Sequence, residues 1–242
     1  MTRGLLLTLA LCSAVNARPA HIKLLCWNLY GGRNGLSKII AVLKASGATV
    51  FLLQEAAPPQ KGAQDPVAAL RHAFPRWSAA RGGSRGELLI LSKFPLSHLK
   101  QPRLGSGRPC LTAECWGITL IDVHYSTAPA NQSLAKHKGG LPHYLLAAAA
   151  IRAEQTDALV QLIKSSRHPV VVAGDLNSTP LMEPPRRLEA LLQPVKTPAT
   201  YPSSNPTSRI DYIFVSPTLR PGMGEVISTS ASDHLPIIVR LR

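Results

Sequence analysis

The sequence predicts an α/β protein built as a layered sandwich with mixed sheets. Two observations carry this. Short apolar runs alternate with Gly/Pro punctuation along the chain, whose 21 prolines are widely spread. Strand and helix patterns alternate early, but strands dominate later, which argues against a doubly wound parallel sheet. With 45% apolar and 17% charged residues among 242, the chain has material for a real core, and bulk disorder is excluded. No linker composition interrupts it, so residues 18–242 read as one domain.

Residues 1–17 read as a signal peptide. Arg3 gives a basic start, Gly4 to Cys12 is apolar except for Thr8, and Val15 and Ala17 supply small residues for cleavage after Ala17, with Ala20 as the second choice. The run is too short for a bilayer, which needs ~20 residues. A secreted or periplasmic location follows as the expectation, with no stable membrane span and a monomeric chain.

Beyond it, residues 21–27 read as a strand. Residues 36–45 read as a helix, with Leu36, Ile39, Ile40 and Leu43 on one face and Gly47 as its stop. Residues 49–54 form a buried strand. Residues 65–73 form a short helix capped by Asp65, with Pro66 in its first turn. Residues 87–92, 116–124, 169–173, 209–215 and 235–241 are further strands, and 144–165 is the longest helix. Cys110 and Cys115 pair if the chain turns at Thr112-Ala113. If it turns at Trp116-Gly117, they fall on opposite faces of one strand and do not pair.

Strand after strand ends in polar chemistry. Asn28, Glu55 and His124 follow apolar runs, as does Gly174-Asp175-Leu176-Asn177. Asp211 opens another strand, and Ser232-Asp233-His234 precedes the last. One carboxylate at a strand end is usually a turn residue; repetition points to a site assembled at one sheet edge. There is no zinc-type Cys/His spacing, no nucleophilic serine elbow, no lysine-bearing phosphate loop and no dinucleotide fingerprint. Oxygen ligands without thiolates suit a hard cation such as Mg²⁺ or Mn²⁺, and histidines beside it suit acid–base work or phosphate contact. The combination points to metal-assisted attack of water on a phosphoester.

The same segments resemble the endonuclease/exonuclease/phosphatase superfamily. They are Cys26-Trp27-Asn28, Leu53-Gln54-Glu55, Leu91-Ser92-Lys93-Phe94-Pro95, Asp122-Val123-His124, Gly174-Asp175-Leu176-Asn177, Arg209-Ile210-Asp211-Tyr212 and Ser232-Asp233-His234-Leu235-Pro236. The resemblance implies a four-layer sandwich, two mixed β-sheets packed face to face with helices on the outside. It implies that Glu55 is the main metal carboxylate, with Asn28 and Asp233 near the same ion. Asp175 then orients or activates the attacking water, and Asn177 donates to the phosphoryl oxygens. His234 serves as base or phosphate ligand with Asp211 as its carboxylate partner, and His124 lies on the leaving-group side. Strand alternation points Glu87 away from His124.

Departures narrow the branch. Leu29-Tyr30 follows Asn28 where abasic-site enzymes resemble Val-Asn-Gly. The Asp211 segment lacks the Trp-Cys-Asp-Arg context of inositol phosphatases. Aromatics are only 5%, against the membrane hairpin of a sphingomyelinase. A compact, exported, basic member remains. The net charge of +14 favours polyanionic partners, so nucleic acid is the expected substrate, and Arg81, Arg85, Arg103, Arg108, Lys136 and Lys138 are candidate contacts. A lipid or small phosphate-ester hydrolase is the alternative, and a silent binding module on the same fold the remote one.

Overall fold

The computed structural model describes residues 22–127 and 140–242. Residues 1–17, read above as a signal peptide, and the candidate contacts Lys136 and Lys138 lie outside the described residues. In chain order the elements are β1 (Ile22–Asn28), α1 (Leu36–Ser46), β2 (Val50–Gln54), α2 (Pro66–Ala73), β3 (Ser78–Gly82), β4 (Leu88–Ser92), β5 (Ser97–Lys100), β6 (Leu111–Cys115) and β7 (Ile118–His124). They continue with α3 (Gly140–Ser165), β8 (Val170–Asp175), α4 (Glu183–Glu189), β9 (Gln193–Pro194), β10 (Asp211–Val215), β11 (Glu225–Val226) and β12 (Ile237–Leu241).

The strands form two six-stranded sheets, β11-β12-β1-β2-β4-β3 and β5-β6-β7-β8-β10-β9. Each is mixed: β1 runs parallel to β2 and β7 parallel to β8, while the other pairs are antiparallel. Three apolar clusters define four layers. Between the sheets lie Leu24, Cys26, Leu52, Ile90, Leu120, Val171 and Ile213. Outside the first sheet, Leu25, Trp27, Phe51 and Leu53 meet Ile39 and Leu43 of α1 and Val67 and Leu70 of α2. Outside the second, Ile121, Val123, Val172 and Phe214 meet Leu159 of α3 and Leu188 of α4. Central strands are thus buried on both faces, which is why they read as continuous apolar runs without alternation. Each buried Leu or Ile contributes about 1.5–3 kcal/mol relative to exposure.

Local signals act as the sequence indicates at several ends. Asp65 accepts the Val67 N–H at 3.1 Å to cap α2, with Pro66 behind it. Gly47 closes α1 in the left-handed conformation. Other boundaries differ. The helix predicted at 144–165 begins at Gly140, because Pro142 sits in the first turn, where no backbone N–H is required. The strand predicted at 116–124 begins at Ile118. Trp116 (φ 55°) and Gly117 (φ 69°) form the two-residue hairpin turn between β6 and β7. That turn puts Cys115 in the inter-sheet core and Cys110 on the opposite face, so both are free, as is Cys26. Among the described residues, no helix is long and apolar enough to cross a membrane.

Candidate active site

The polar residues continue the inter-sheet core at one of its ends. On β1 the inward series Leu24, Cys26 runs into Asn28; on β2, Val50 and Leu52 run into Gln54. On β7, Ile118 and Leu120 give way to Asp122 and His124; on β8, Val171 and Ala173 lead to Asp175. β10 runs the other way, so its first residue, Asp211, arrives at the same end. The register closes the cluster: Asn28 lies opposite Gln54, and Asp175 opposite both His124 and Asp211. Period-two alternation alone delivers these side chains to one place.

Glu55 follows β2 with φ 49°, a left-handed position that turns its side chain from the strand path to the rim. The Asn28 carboxamide holds it. Asn28 Oδ1 accepts the Tyr30 N–H at 3.0 Å, and Nδ2 donates to Glu55 Oε1 and Asp175 Oδ2, each at 3.2 Å.

Asp175 is 2% exposed. Its Oδ1 accepts the Asn177 N–H at 2.8 Å, and Asn177, at φ 46°, ties its own amide to Tyr125 O at 3.0 Å. Burial first, then the Asp211 charge, raises the Asp175 pKa above the ordinary carboxylate range, against the pull of His234. Gly174 is obligatory before it: with φ 150°, a Cβ there would lie 1.8 Å from Val123 O on the neighbouring strand.

His234 Nδ1 lies 2.9 and 3.1 Å from the two Asp211 oxygens, and Nε2 lies 3.9 Å from Asp175 Oδ2. Burial opposes a charge on this ring, but Asp211, with Asp175 and Asp233 behind it, outweighs burial and lifts the pKa to about 9. Thr200 Oγ1 donates to Asp211 Oδ2 at 2.5 Å, fixing the carboxylate from the other side. Trp27 Nε1 donates to His234 O at 2.9 Å, and the Ser232 hydroxyl donates to Asn28 O at 2.7 Å. The serine of Ser-Asp-His therefore fastens the loop to the end of β1. The half-buried Asp233 carboxylate accepts the same hydroxyl at 3.3 Å. The Tyr201 ring sits 4.7 Å from that of His234.

His124 has the opposite electrostatics. It is 4% exposed, with Nε2 3.7 Å from Asp175 Oδ2 and 3.8 Å from Glu55 Oε1. Burial, then Arg108, His234 and Arg85, drives its pKa well below the usual imidazole value. Arg108 Nη1 lies 2.8 Å from its Nδ1. The same Nη1 lies 3.1 Å from Nε2; a guanidinium only donates, so it faces a neutral ring.

The structure thus brings together Asn28, Glu55, His124, Asp175, Asp211 and His234, with Asn177 and Asp233 beside them. Arg85 and Arg108 line an adjoining open hollow with Arg33, Glu55, Glu87 and His124. Arg81 is paired with Asp65 at 3.1 Å, and the exposed Arg103 does not line the hollow. Thr200, Tyr201 and Arg33 escape a reading of the sequence, because no spacing or motif connects them to the site. Among the described residues, Asp175, Asp211 and His234 are the metal-type donors that fall within 4.8 Å of one another. Asp211 and His234 are bonded to each other, whereas the Glu55 carboxylate is 38% exposed and faces the hollow. This oxygen-rich, thiolate-free set fits a hard divalent cation at Glu55.

Comparison with solved structures places the fold. An endonuclease/exonuclease/phosphatase from Bacteroides vulgatus superposes with a TM-score of 0.72 at 13% identity, covering 92% of this chain and 98% of that one. An AP endonuclease from Archaeoglobus fulgidus gives 0.67 at 16% identity, covering 90% and 98%. A mannosyl-6-phosphatase from Bacteroides thetaiotaomicron gives 0.66 at 14%, covering 91% and 99%. A search of the curated proteins finds no match. The sequence profile of the Endonuclease/Exonuclease/phosphatase family matches residues 25–234. With that match over most of its length, and with the two facing sheets and buried carboxylate–histidine cluster described above, the chain belongs to the endonuclease/exonuclease/phosphatase family and carries its phosphoesterase fold.

Proposed function

We propose that this protein is an exported, monomeric phosphodiesterase that hydrolyses nucleic acid, DNA or RNA, with Mg²⁺ or Mn²⁺ held at Glu55 beside Asn28 and Asp233. One observation carries the reading. Asp175 Oδ2 stands 3.7 Å from His124 Nε2 and 3.9 Å from His234 Nε2, while the two rings are pushed to opposite protonation states. Titratable neighbours driven apart in this way define acid and base roles.

Asp175, made more basic by burial, takes the proton of the water that attacks phosphorus. His234, kept as imidazolium by Asp211, donates from Nε2 to a phosphoryl oxygen as negative charge builds there. Asn177 has a second amide N–H for the same oxygens. His124, neutral and with Nε2 3.7 Å from Asp175 Oδ2, relays to the leaving ester oxygen, as its P–O bond breaks, the proton that Asp175 took from the water. The divalent ion, when bound, supplies Lewis-acid stabilisation of the phosphoryl group.

The charge of +14 supports a polymeric substrate over a small one. The small-ester reading draws on the mannosyl-6-phosphatase likeness. An activity panel on purified protein lacking residues 1–17, with Mg²⁺ or Mn²⁺, decides between them. It includes plasmid DNA, RNA, bis-nitrophenyl phosphate, sphingomyelin and inositol phosphates. Nucleic acid should be cleaved, with log rate falling steeply against log salt, at about −0.9 per phosphate contact on duplex DNA. Turnover of small esters alone would overturn the nuclease reading.

A further inference from the structure

Three guanidiniums converge on the hollow beside Glu55 and His124. Arg33 comes from the turn after β1, Arg85 from the β3–β4 loop and Arg108 from the β5–β6 connection. Among the described residues none of the three has a carboxylate partner, whereas Arg81 is paired with Asp65 and Arg187 with Asp157 and Glu183. Arg33 rests over the Tyr30 ring at 5.2 Å, and Arg108 contacts His124.

The acids at the hollow do not neutralise them. Glu87 spends its carboxylate on its own loop, accepting the Arg85 N–H at 2.6 Å and the Ser84 N–H at 3.3 Å. That loop is braced further by Arg81 Nε donating to Gly86 O at 2.9 Å. Gly83, at φ 93°, allows the close wrap, since a Cβ there would lie 2.6 Å from Glu87 Oε2. The backbone that carries Arg85 is therefore fixed before any ligand arrives, which reduces the ordering cost of binding. Guanidinium forks match phosphate oxygens in geometry as well as charge.

The lining of this hollow omits Asp175, Asp211 and His234. It lies beside the reacting position and shares only Glu55 and His124 with it. We propose that Arg33, Arg85 and Arg108 form a subsite for a second, non-reacting phosphate of the substrate, one linkage from the phosphate that is attacked. The proposal rests on the phosphodiesterase reading for the identity of the reacting group, and it defines preferred substrates as those with at least two neighbouring phosphates. A nucleic-acid strand supplies that spacing at every step.

Two chromogenic diesters that differ by one group test it: thymidine 5′-(p-nitrophenyl phosphate) with and without a 3′-phosphate. The 3′-phosphate should lower KM at least tenfold in the natural protein, and the Arg33→Gln/Arg85→Gln double variant should keep less than a threefold margin. Equal KM values in the natural protein, or a full margin in the double variant, would overturn the subsite while leaving the hydrolase reading intact. If neither ester is hydrolysed, calorimetry decides. Thymidine 3′,5′-bisphosphate should bind at least tenfold tighter than thymidine 5′-phosphate, with the margin lost in the double variant. Equal affinities overturn the subsite. A margin without hydrolysis keeps the subsite and removes the phosphodiesterase reading. The pair inositol 1,4-bisphosphate and inositol 1-phosphate distinguishes the source of the second phosphate. Nucleic acid requires the larger margin in the thymidine pair, and a larger inositol margin overturns that source.

Discussion

Gln54 and Asp122 meet in the space between the two sheets, with Gln54 Nε2 2.6 Å from Asp122 Oδ1 and both side chains fully buried. Gln54 immediately precedes Glu55, and Asp122 stands two residues before His124 on the same face of β7. The hydrogen bond ties the strand that ends in one site residue to the strand that ends in the other. Asp122 Oδ2 has no hydrogen-bond partner, and burial, outweighing the Gln54 bond, raises the Asp122 pKa well above its ordinary value.

A linkage prediction follows from that burial. A carboxylate whose folded pKa is raised stabilises the fold fully below its unfolded value, ~3.9, and loses that contribution as pH rises toward the folded value. Asp122→Asn keeps an oxygen for Gln54 and removes the titration. The variant's melting temperature relative to the natural protein should therefore climb between pH 4 and pH 8. A difference that stays flat over this range would show that Asp122 is no more protonated folded than unfolded. Asp122→Leu, which strips the bond from Gln54, should cost about 1–3 kcal/mol at acidic pH.

Much of this centre is legible in the residues, and the reasons are physical. β1, β2, β7, β8 and β10 are covered on both faces, so their apolar runs stand out and the polar residue ending each run is conspicuous. β3, with Ser78-Ala79-Ala80-Arg81-Gly82, and β5, whose four residues are all exposed, carry no such run and are missed. The loop bearing Thr200 and Tyr201 gives no signal, because it reaches Asp211 and His234 through tertiary packing alone. The opposite pKa shifts of His124 and His234 are equally hidden, since they depend on burial and Arg108 at one ring and on Asp211 at the other.

Gly174 should be the least replaceable glycine of the chain. An added methyl would collide with Val123 O, a backbone atom held by β7–β8 pairing, so the strands themselves must part. Gly174→Ala should lose more than about 3 kcal/mol in urea unfolding, as such backbone strain and overpacking do. Gly117→Ala has open space around its Cβ and carries only the left-handed penalty, about 1–2 kcal/mol. Equal costs for the two would refute the collision argument.

Chelation should abolish hydrolysis, and Mg²⁺ or Mn²⁺ should restore it. A binding readout makes the test independent of turnover. An ion at 100 times its dissociation constant stabilises the fold by about 2.7 kcal/mol, visible as a raised melting temperature. Glu55→Gln should lose most of that shift and lower turnover by about 10²-fold or more, while the ion-free protein melts as before, because this carboxylate is partly exposed and has a single donor in Asn28. An undiminished metal shift in Glu55→Gln would place the ion elsewhere, with the Asp175, Asp211 and His234 grouping the first candidate.

Asp211 and His234 should behave as one unit. The folded His234 pKa, about 9, lies above the unfolded ~6.5. The proton it holds therefore stabilises the fold fully below ~6.5, and this contribution is lost as pH rises through about 9. Asp211 is the main source of that shift, against the burial that opposes it. In Asp211→Asn the ring loses its counter-charge, so the stability gap to the natural protein should be widest below ~6.5 and close toward alkaline pH. The same loss should reach the chemistry. With imidazolium as the phosphate donor, the alkaline limb of kcat/KM reports His234, and Asp211→Asn should move that limb down by about one unit or more. His234→Ala should lower turnover by about 10²–10⁴-fold. The double variant should be little worse than His234→Ala alone, because the carboxylate acts through the ring it no longer has. If Asp211 were only a turn carboxylate braced by Thr200, Asp211→Asn would lower the melting temperature, leave the alkaline limb in place, and multiply the loss of His234→Ala. Turnover, pH profiles and melting curves of the three variants separate the two roles.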